Sequence, residues 1–345
     1  HFGHWCAHNG VSMAAASLSA LVDWAIGQGV ALHANVGIRV DRAGDRSLYA
    51  RGGPIGVGEE LIRVPHRLML TARSVAALGR GTSRDDWLDQ ADSLALALLS
   101  ELDRQALGSP SFWAPYFATL PRRLDSPLWF NNTEREALRG SAVERQVLAR
   151  ERQILASRER IARSSTYDRA VIEAGARRGA RAGGGGGGGG VGGGGGGGGV
   201  VPEGEGRFAV HDIAWAFSIL HSRCFRVRMR QEGGTGDERP PALVPFGDLF
   251  NHRDETVANV ATTSDVAGAA FVFYAVGHVR EGEEATLAYG SRRGTAAEPS
   301  SGLLLLDYGF TVRYGGGGEV WLRGLQRAPP HALAGEGAGA EQVAE

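Results

Sequence analysis

Apolar residues first fall at helical spacing in SLSALVDWAIGQGVAL. Leu18, Leu21, Val22, Ala25 and Ile26 make one face there, and Gly27 and Gly29 end it. From Gly37 the pattern changes to the short runs VGIRVD, SLYARG and EELIRVPHRLML. Glycines and Pro54 separate them, which predicts strands joined by turns. Residues 85–180 return to helical spacing. Leu88, Leu94, Leu98 and Leu102 offer one core face, and Val147, Ile154 and Ile161 recur at seven-residue intervals amid charge. So short a repeat predicts a helix packed on its own domain rather than a partner coiled coil. HDIAWAFSILHSRCF predicts a buried helix with Ile213, Ala216, Phe217 and Leu220 on one side. AAFVFYAVGHV and EEATLAYG read as strands joined by the turn REGE, and GLLLLDYGFTV is the last recognisable element. The fold class is α+β: 37–80 and 240–312 form one β-rich region, split by helices.

The segment 183–199, sixteen glycines around Val191, has no side chains with which to build a core and reads as a flexible linker. It lacks the Lys and Ser/Thr of a phosphate-binding loop. Glycine and small residues also dominate beyond Tyr314, and the last twenty residues read as unstructured. The formal net charge is −1, so no global field draws the chain to nucleic acid or an anionic membrane. All 37 basic residues are arginine, which reads as coding bias rather than guanidinium chemistry. No apolar run approaches the ~20 residues of a spanning helix. Cys6 and Cys224 are the two cysteines, with no CxxC and no metal-ligand spacing. They leave a single disulfide open, and a reducing compartment is the default.

The chemistry concentrates in LVPFGDLFNHRDETVANV, where an apolar run passes through Asp248 into Asn251-His252. Alone, an Asn-His pair reads as a turn, Tyr289 and Tyr308 as core tyrosines, and Arg223 as the partner of a carboxylate. His221 reads as a satisfied packing residue, and Glu283 and Glu284 as solvated. Joint order and spacing change this. LVPFGDLFNH followed by EGEEATLAYG and LLLLDYGF resembles the C-terminal half of a SET domain, in the branch of Rubisco large-subunit lysine methyltransferase and its relatives. GDRSLYARGGPIGVGEELIRVPHRLML is similar to that branch's N-terminal half, SFWAPYFATLP to part of its helical insertion, and SRCF to its Ser-Arg-x-Phe. The resemblance covers roughly residues 18–314.

The resemblance implies a fold of small β-sheets with a knot-like C-terminal part, split by a helical insertion. It divides the chain into an N-terminal SET half (18–84), the insertion with the glycine linker (85–207), a C-terminal SET half (208–314) and a disordered or truncated end (315–345). The family's all-helical C-terminal substrate-binding domain is largely absent. The implied activity is S-adenosylmethionine-dependent methylation of a lysine on a non-histone protein, such as Rubisco large subunit or another plastid protein. Cofactor and lysine would enter from opposite faces. Tyr289 matches the tyrosine at the transfer centre. Asp45, Arg46, Ser47, Arg223, Asn251 and His252 match cofactor-binding positions. Arg223, Phe225, Asp248, Tyr289 and Tyr308 match the substrate side. Phe225 stands where the actin-histidine branch has Asn, which favours lysine. No metal, nucleic acid or membrane partner is implied; the expectation is a monomer, in the chloroplast by resemblance, with cytoplasm and nucleus as alternatives.

Three features depart from the pattern. Asp45 and Ser47 stand at the two glycines that let the family's backbone approach the cofactor. GTAAEP lengthens the segment between Tyr289 and Tyr308, and by resemblance the docking domain is expected to be largely absent. These departures support two alternatives: a non-catalytic SET-like interaction module, and, more weakly given Phe225, a protein-histidine methyltransferase.

Overall fold

The computed structural model describes residues 17–41, 44–73, 89–106, 108, 111–163, 209–229, 239–290, 301–312 and 321–323. Cys6, Leu88, the glycine linker and the GTAAEP insertion lie outside the described residues. A first helix, α1, covers 17–27. Four strands follow: β1 (Ala31–Leu32), β2 (Val36–Val40), β3 (Arg46–Ala50) and β4 (Glu60–Pro65). The helices are then α2 (Gln90–Ala106), α3 (Ala114–Phe117), α4 (Asn132–Glu136), α5 (Ala142–Arg163) and α6 (Val210–Arg223). The second strand set is β5 (Cys224–Arg226), β6 (Pro241–Leu243), β7 (Asn251–His252), β8 (Val260–Asp265), β9 (Ala270–Ala275) and β10 (Glu284–Leu287). Helix α7 (Ser301–Tyr308), β11 (Phe310–Val312) and β12 (Trp321–Arg323) complete the order.

Two four-stranded sheets run β1-β4-β9-β8 and β2-β3-β10-β7, and two pairs, β5-β6 and β11-β12, stand beside them. Each larger sheet takes strands from both predicted β regions. Val64 faces Phe271 where β4 meets β9, and Leu48 faces Ala285 where β3 meets β10. This is the expected α+β arrangement of small sheets. β7 runs parallel to β10, with Asn251 opposite Thr286 and His252 opposite Leu287. A parallel pair needs a crossover rather than a tight hairpin, and β8 and β9 supply it.

The helical segment is tied to the turn after β4 and to helix α6 by polar contacts at its aromatic motif. The Trp113 indole N–H donates to the Leu68 carbonyl at 2.9 Å, and that of Trp215 donates to Pro121 at 3.0 Å. On α5, Val147, Ile154 and Ile161 are buried as their spacing predicts. Arg160 clamps the fully buried Asp92 carboxylate of α2 at 2.6 and 3.1 Å. Burial of that carboxylate is tolerated because both its oxygens are paired.

Two expectations change. Ile26 is 54% exposed while Leu18, Leu21 and Ala25 are buried. One residue past Ala25 is a turn of about 100° around the helix, and Gly27 is its last residue. In the region expected to be disordered, Trp321–Arg323 pairs with β11, Val312 opposite Trp321. Cys224 carries a free thiol, which burial pushes well above the ordinary cysteine range.

Candidate active site

The functional residues converge because β7 and β10 lie side by side and two helices end against them. The chain reaches β7 through a tight turn, Gly247–Leu249, entered by Phe246 in the left-handed region at φ 68°. A bulky residue is costly there. The Phe246 side chain is wholly buried, and the turn brings the Asp248 carboxylate into the interior, where it is 0% exposed. Asn251 then donates to the Glu284 carboxylate at 2.6 Å and to the Arg46 carbonyl at 3.1 Å, tying β7 to β10 and β3. Glu284 is therefore half-buried and engaged, not solvated as its turn-to-strand position suggests. His252 accepts at Nδ1 from the Tyr289 amide at 2.9 Å. The Tyr289 hydroxyl donates to the Phe250 carbonyl.

Helix α6 ends at Arg223, whose Nε lies 3.5 Å from Asp248 Oδ2. That is an ion pair without hydrogen-bond geometry. Neither Asp248 oxygen, nor Arg223 Nε, nor the buried Tyr116 hydroxyl has a hydrogen-bond partner among the described residues. Burial pushes the Asp248 carboxyl above the usual carboxylate range, against the pull of Arg223 and Arg46. It also lowers the Arg46 guanidinium, which hydrogen-bonds the Thr119 carbonyl at 2.7 Å. From the other side, α7 delivers Tyr308 onto Tyr289, ring centroids 4.6 Å apart. Burial raises both phenols, so both are neutral donors near pH 7.

Two cavities open from this cluster. One, of about 650 Å³, is polar and lined by Asp41, Asp45, Arg46, Asn251, His252, Glu284 and Phe310. The other, of about 1040 Å³, is lined by Phe225, Phe271, Arg226, Arg239 and Glu255. Both share Ser222, Arg223, Asp248, Tyr289 and Tyr308, which form a neck between them. Nine of the ten residues singled out in the sequence therefore stand around one pair of cavities. Ser47 stands apart: its hydroxyl accepts from Arg39 Nε at 3.1 Å, and it lines neither cavity. Gly44, one residue before Asp45, takes the left-handed φ of 88° with open space around its Cβ position. The sequence reading missed Ser222, Asp307 and Phe310, which also line the first cavity. Asp307 and Phe310 stand beside Tyr308 within the motif LLLLDYGF itself, so the motif already held the signal. His221 packs against Phe217, as read, but its Nε2 is buried without a partner among the described residues. No cluster of metal-ligating side chains occurs among the described residues, and no described helix is long and apolar enough to cross a membrane.

A neck of two neutral phenols beside a guanidinium and a buried carboxyl, set between two cavities, suits transfer of a small group between two reactants held one in each.

No family model matches the chain. It is 26% identical over 281 residues to the chloroplastic ribulose-1,5 bisphosphate carboxylase/oxygenase large subunit N-methyltransferase of Pisum sativum, covering 74% of this chain and 44% of that protein. It is 26% identical over 238 residues to the actin-histidine N-methyltransferase of Homo sapiens, covering 68% and 34%. The chain thus spans less than half the length of these curated relatives. Among solved structures it superimposes on the SET domain of LSMT bound to lysine and AdoHcy with a TM-score of 0.61 and 23% identity, over 86% of this chain and 57% of that one. Rubisco LSMT bound to AdoMet gives a TM-score of 0.61 and 21% identity, over 86% and 56%. The architecture of this chain is the SET-domain fold of those structures.

Proposed function

We propose that this chain is an S-adenosylmethionine-dependent protein N-methyltransferase whose acceptor is a lysine of a non-histone protein, Rubisco large subunit or another plastid protein, in the chloroplast. The observation that carries this reading is the pair of unlike cavities meeting at Arg223, Asp248, Tyr289 and Tyr308. The first cavity fits the donor. Arg46 and Arg223 answer a carboxylate, Asp45 and Glu284 answer an ammonium and ribose hydroxyls, and Phe310 offers a ring to a purine. Asn251 and His252 hold the wall. Bound there, the donor supplies a methyl group on a sulfonium.

The remaining steps belong to the protein. A free lysine has a pKa of about 10.4, so reaching the neutral amine at pH 7 costs about 4.6 kcal/mol. Phe225, Phe271 and the two tyrosines desolvate the amine, which lowers its pKa. Tyr289, fixed through its hydroxyl to Phe250 and through its amide to His252, orients the amine's lone pair along the neck. Tyr308 closes the opposite wall.

Calorimetric titration with S-adenosylmethionine should give saturable binding. A tritiated-methyl assay should label a lysine peptide, and Tyr289→Phe should sharply reduce transfer while the fold persists. No heat at millimolar donor would favour a non-catalytic module instead. The actin-histidine relatives favour a second reading, histidine methylation, which gains if a histidine peptide outcompetes the lysine peptide. Phe225, an apolar ring wedged against Phe271 and Phe273, argues against it because it offers an imidazole no hydrogen-bond partner.

A further inference from the structure

Tyr308 forms one wall of the neck, and the helical layer grips the chain on both sides of it. On the N-terminal side, Arg150 Nη2 of α5 donates to Asp307 Oδ1 at 3.0 Å, with the two side chains 12% and 15% exposed. On the C-terminal side, Gly309 at φ 82° lies so close to Asp125 that a Cβ there would sit 2.8 Å from its carbonyl carbon and 2.9 Å from its carbonyl oxygen. Arg150 lines neither cavity. His221 lies beside it, yet adds no charge: burial and then Arg150 hold that imidazole down to about 3. Asp307 is therefore the charge that answers Arg150 across 157 residues of sequence. Helix α7 has only eight residues, too short to hold its own place without tertiary contacts.

We infer that Arg150 is a positioning residue for methyl transfer. Through Asp307 it fixes the last turn of α7 and so sets the Tyr308 ring against Tyr289, which determines the width of the neck. The inference rests on the proposed function, and it assigns to the helical insertion a direct part in shaping the site. Displacing a wall of such a site by about 1 Å can cost on the order of 100-fold in rate.

Arg150→Gln and Arg150→Lys test this. The Gln variant should lose about 10- to 100-fold in kcat per folded molecule while its KM for S-adenosylmethionine stays close to wild type, with some fall in thermal midpoint because one partner of a mostly buried pair is gone. The Lys variant should recover most of the loss, since it keeps the positive charge that pairs with Asp307, which the neutral Gln amide lacks. A purely structural role would lower the midpoint but leave kcat per folded molecule unchanged, and that unchanged kcat overturns the inference. A second readout does not need activity: 3-fluorotyrosine placed at Tyr308 should give one sharp fluorine resonance in wild type and Arg150→Lys, and a shifted or broadened one in Arg150→Gln. An unmoved resonance overturns the inference whether or not the enzyme turns over. Failure of wild type to bind donor or transfer methyl overturns the proposed function instead.

Discussion

The backbone N–H of Tyr289 donates to Nδ1 of His252 at 2.9 Å, joining two motif residues 37 positions apart into one hydrogen-bonded unit. The bond aims the Tyr289 side chain, because the amide that carries it cannot turn without losing its acceptor. His252→Ala should leave that N–H without its acceptor and remove the ring stacked on Phe310 at 5.9 Å. The expected cost is about 1–3 kcal/mol in urea unfolding. His252→Asn, which can present an oxygen near the Nδ1 position, should recover part of it.

Asn251 is an amide because its neighbour is a carboxylate. Its Nδ2 donates to Glu284 at 2.6 Å. Asn251→Asp would replace that donor with a second negative charge at contact distance, and like charges in a half-buried site repel. The variant should be clearly less stable than wild type at pH 7. The deficit should shrink as the pH falls through the carboxylate range, where one shared proton restores a donor. A pH series of thermal midpoints checks this; a deficit constant with pH would mean the two groups do not interact.

Gly247 and Phe225 share one space. A Cβ on Gly247 would lie 2.6 Å from Phe225 Cε2 and 3.0 Å from Phe273 Cζ. The Phe225 ring is already wedged between Phe271 and Phe273, each centroid 5.5 Å away. Gly247→Ala should therefore cost about 1–3 kcal/mol through overpacking. Phe225→Leu should relieve much of that cost, so the double variant should be more stable than the sum of the single changes predicts. Additive effects in chemical unfolding would show that the two positions are uncoupled.

Residues differ in how far their roles were legible in the sequence. The inward face of Val147, Ile154 and Ile161 follows from helical spacing, and Asn251, His252 and Tyr289 stand in ordered motifs that a β-rich fold can bring together. Two of the misses, Glu284 and Arg150, share a physical cause: a partner distant in sequence. Glu284 looked solvated because Asn251, the group that engages it, lies 33 residues away. Nothing near Arg150 points to Asp307. β12 is a three-residue strand amid glycines, and its pairing with β11 leaves no local periodicity to detect. Ser47 matches a cofactor position by resemblance, and strand alternation turns its hydroxyl toward Arg39 rather than into either cavity.

Asp248 should make the stability of the fold depend on pH in a direction opposite to that of an ordinary paired carboxylate. Its side chain is fully buried, and desolvation raises its pKa above the usual value even though Arg223 and Arg46 pull it down. A group whose folded pKa is raised binds its proton more tightly in the native state than in the unfolded chain. Its contribution is therefore fully present in acid, below the unfolded carboxylate value, and is lost as the pH rises through the higher folded value. Asp248→Asn cannot titrate and removes this dependence, while keeping the volume and one acceptor near Arg223. The unfolding free energy of wild type minus that of Asp248→Asn should thus be largest in acid and fall to a plateau as the pH rises. Urea titrations of both proteins between about pH 3 and 8 isolate this difference, because every other titrating group is common to the two. Parallel curves would mean that Asp248 ionises as freely in the fold as in water. A difference that rises with pH would mean that Arg223 and Arg46 outweigh burial, and that the neck holds a stabilised carboxylate rather than a destabilised one.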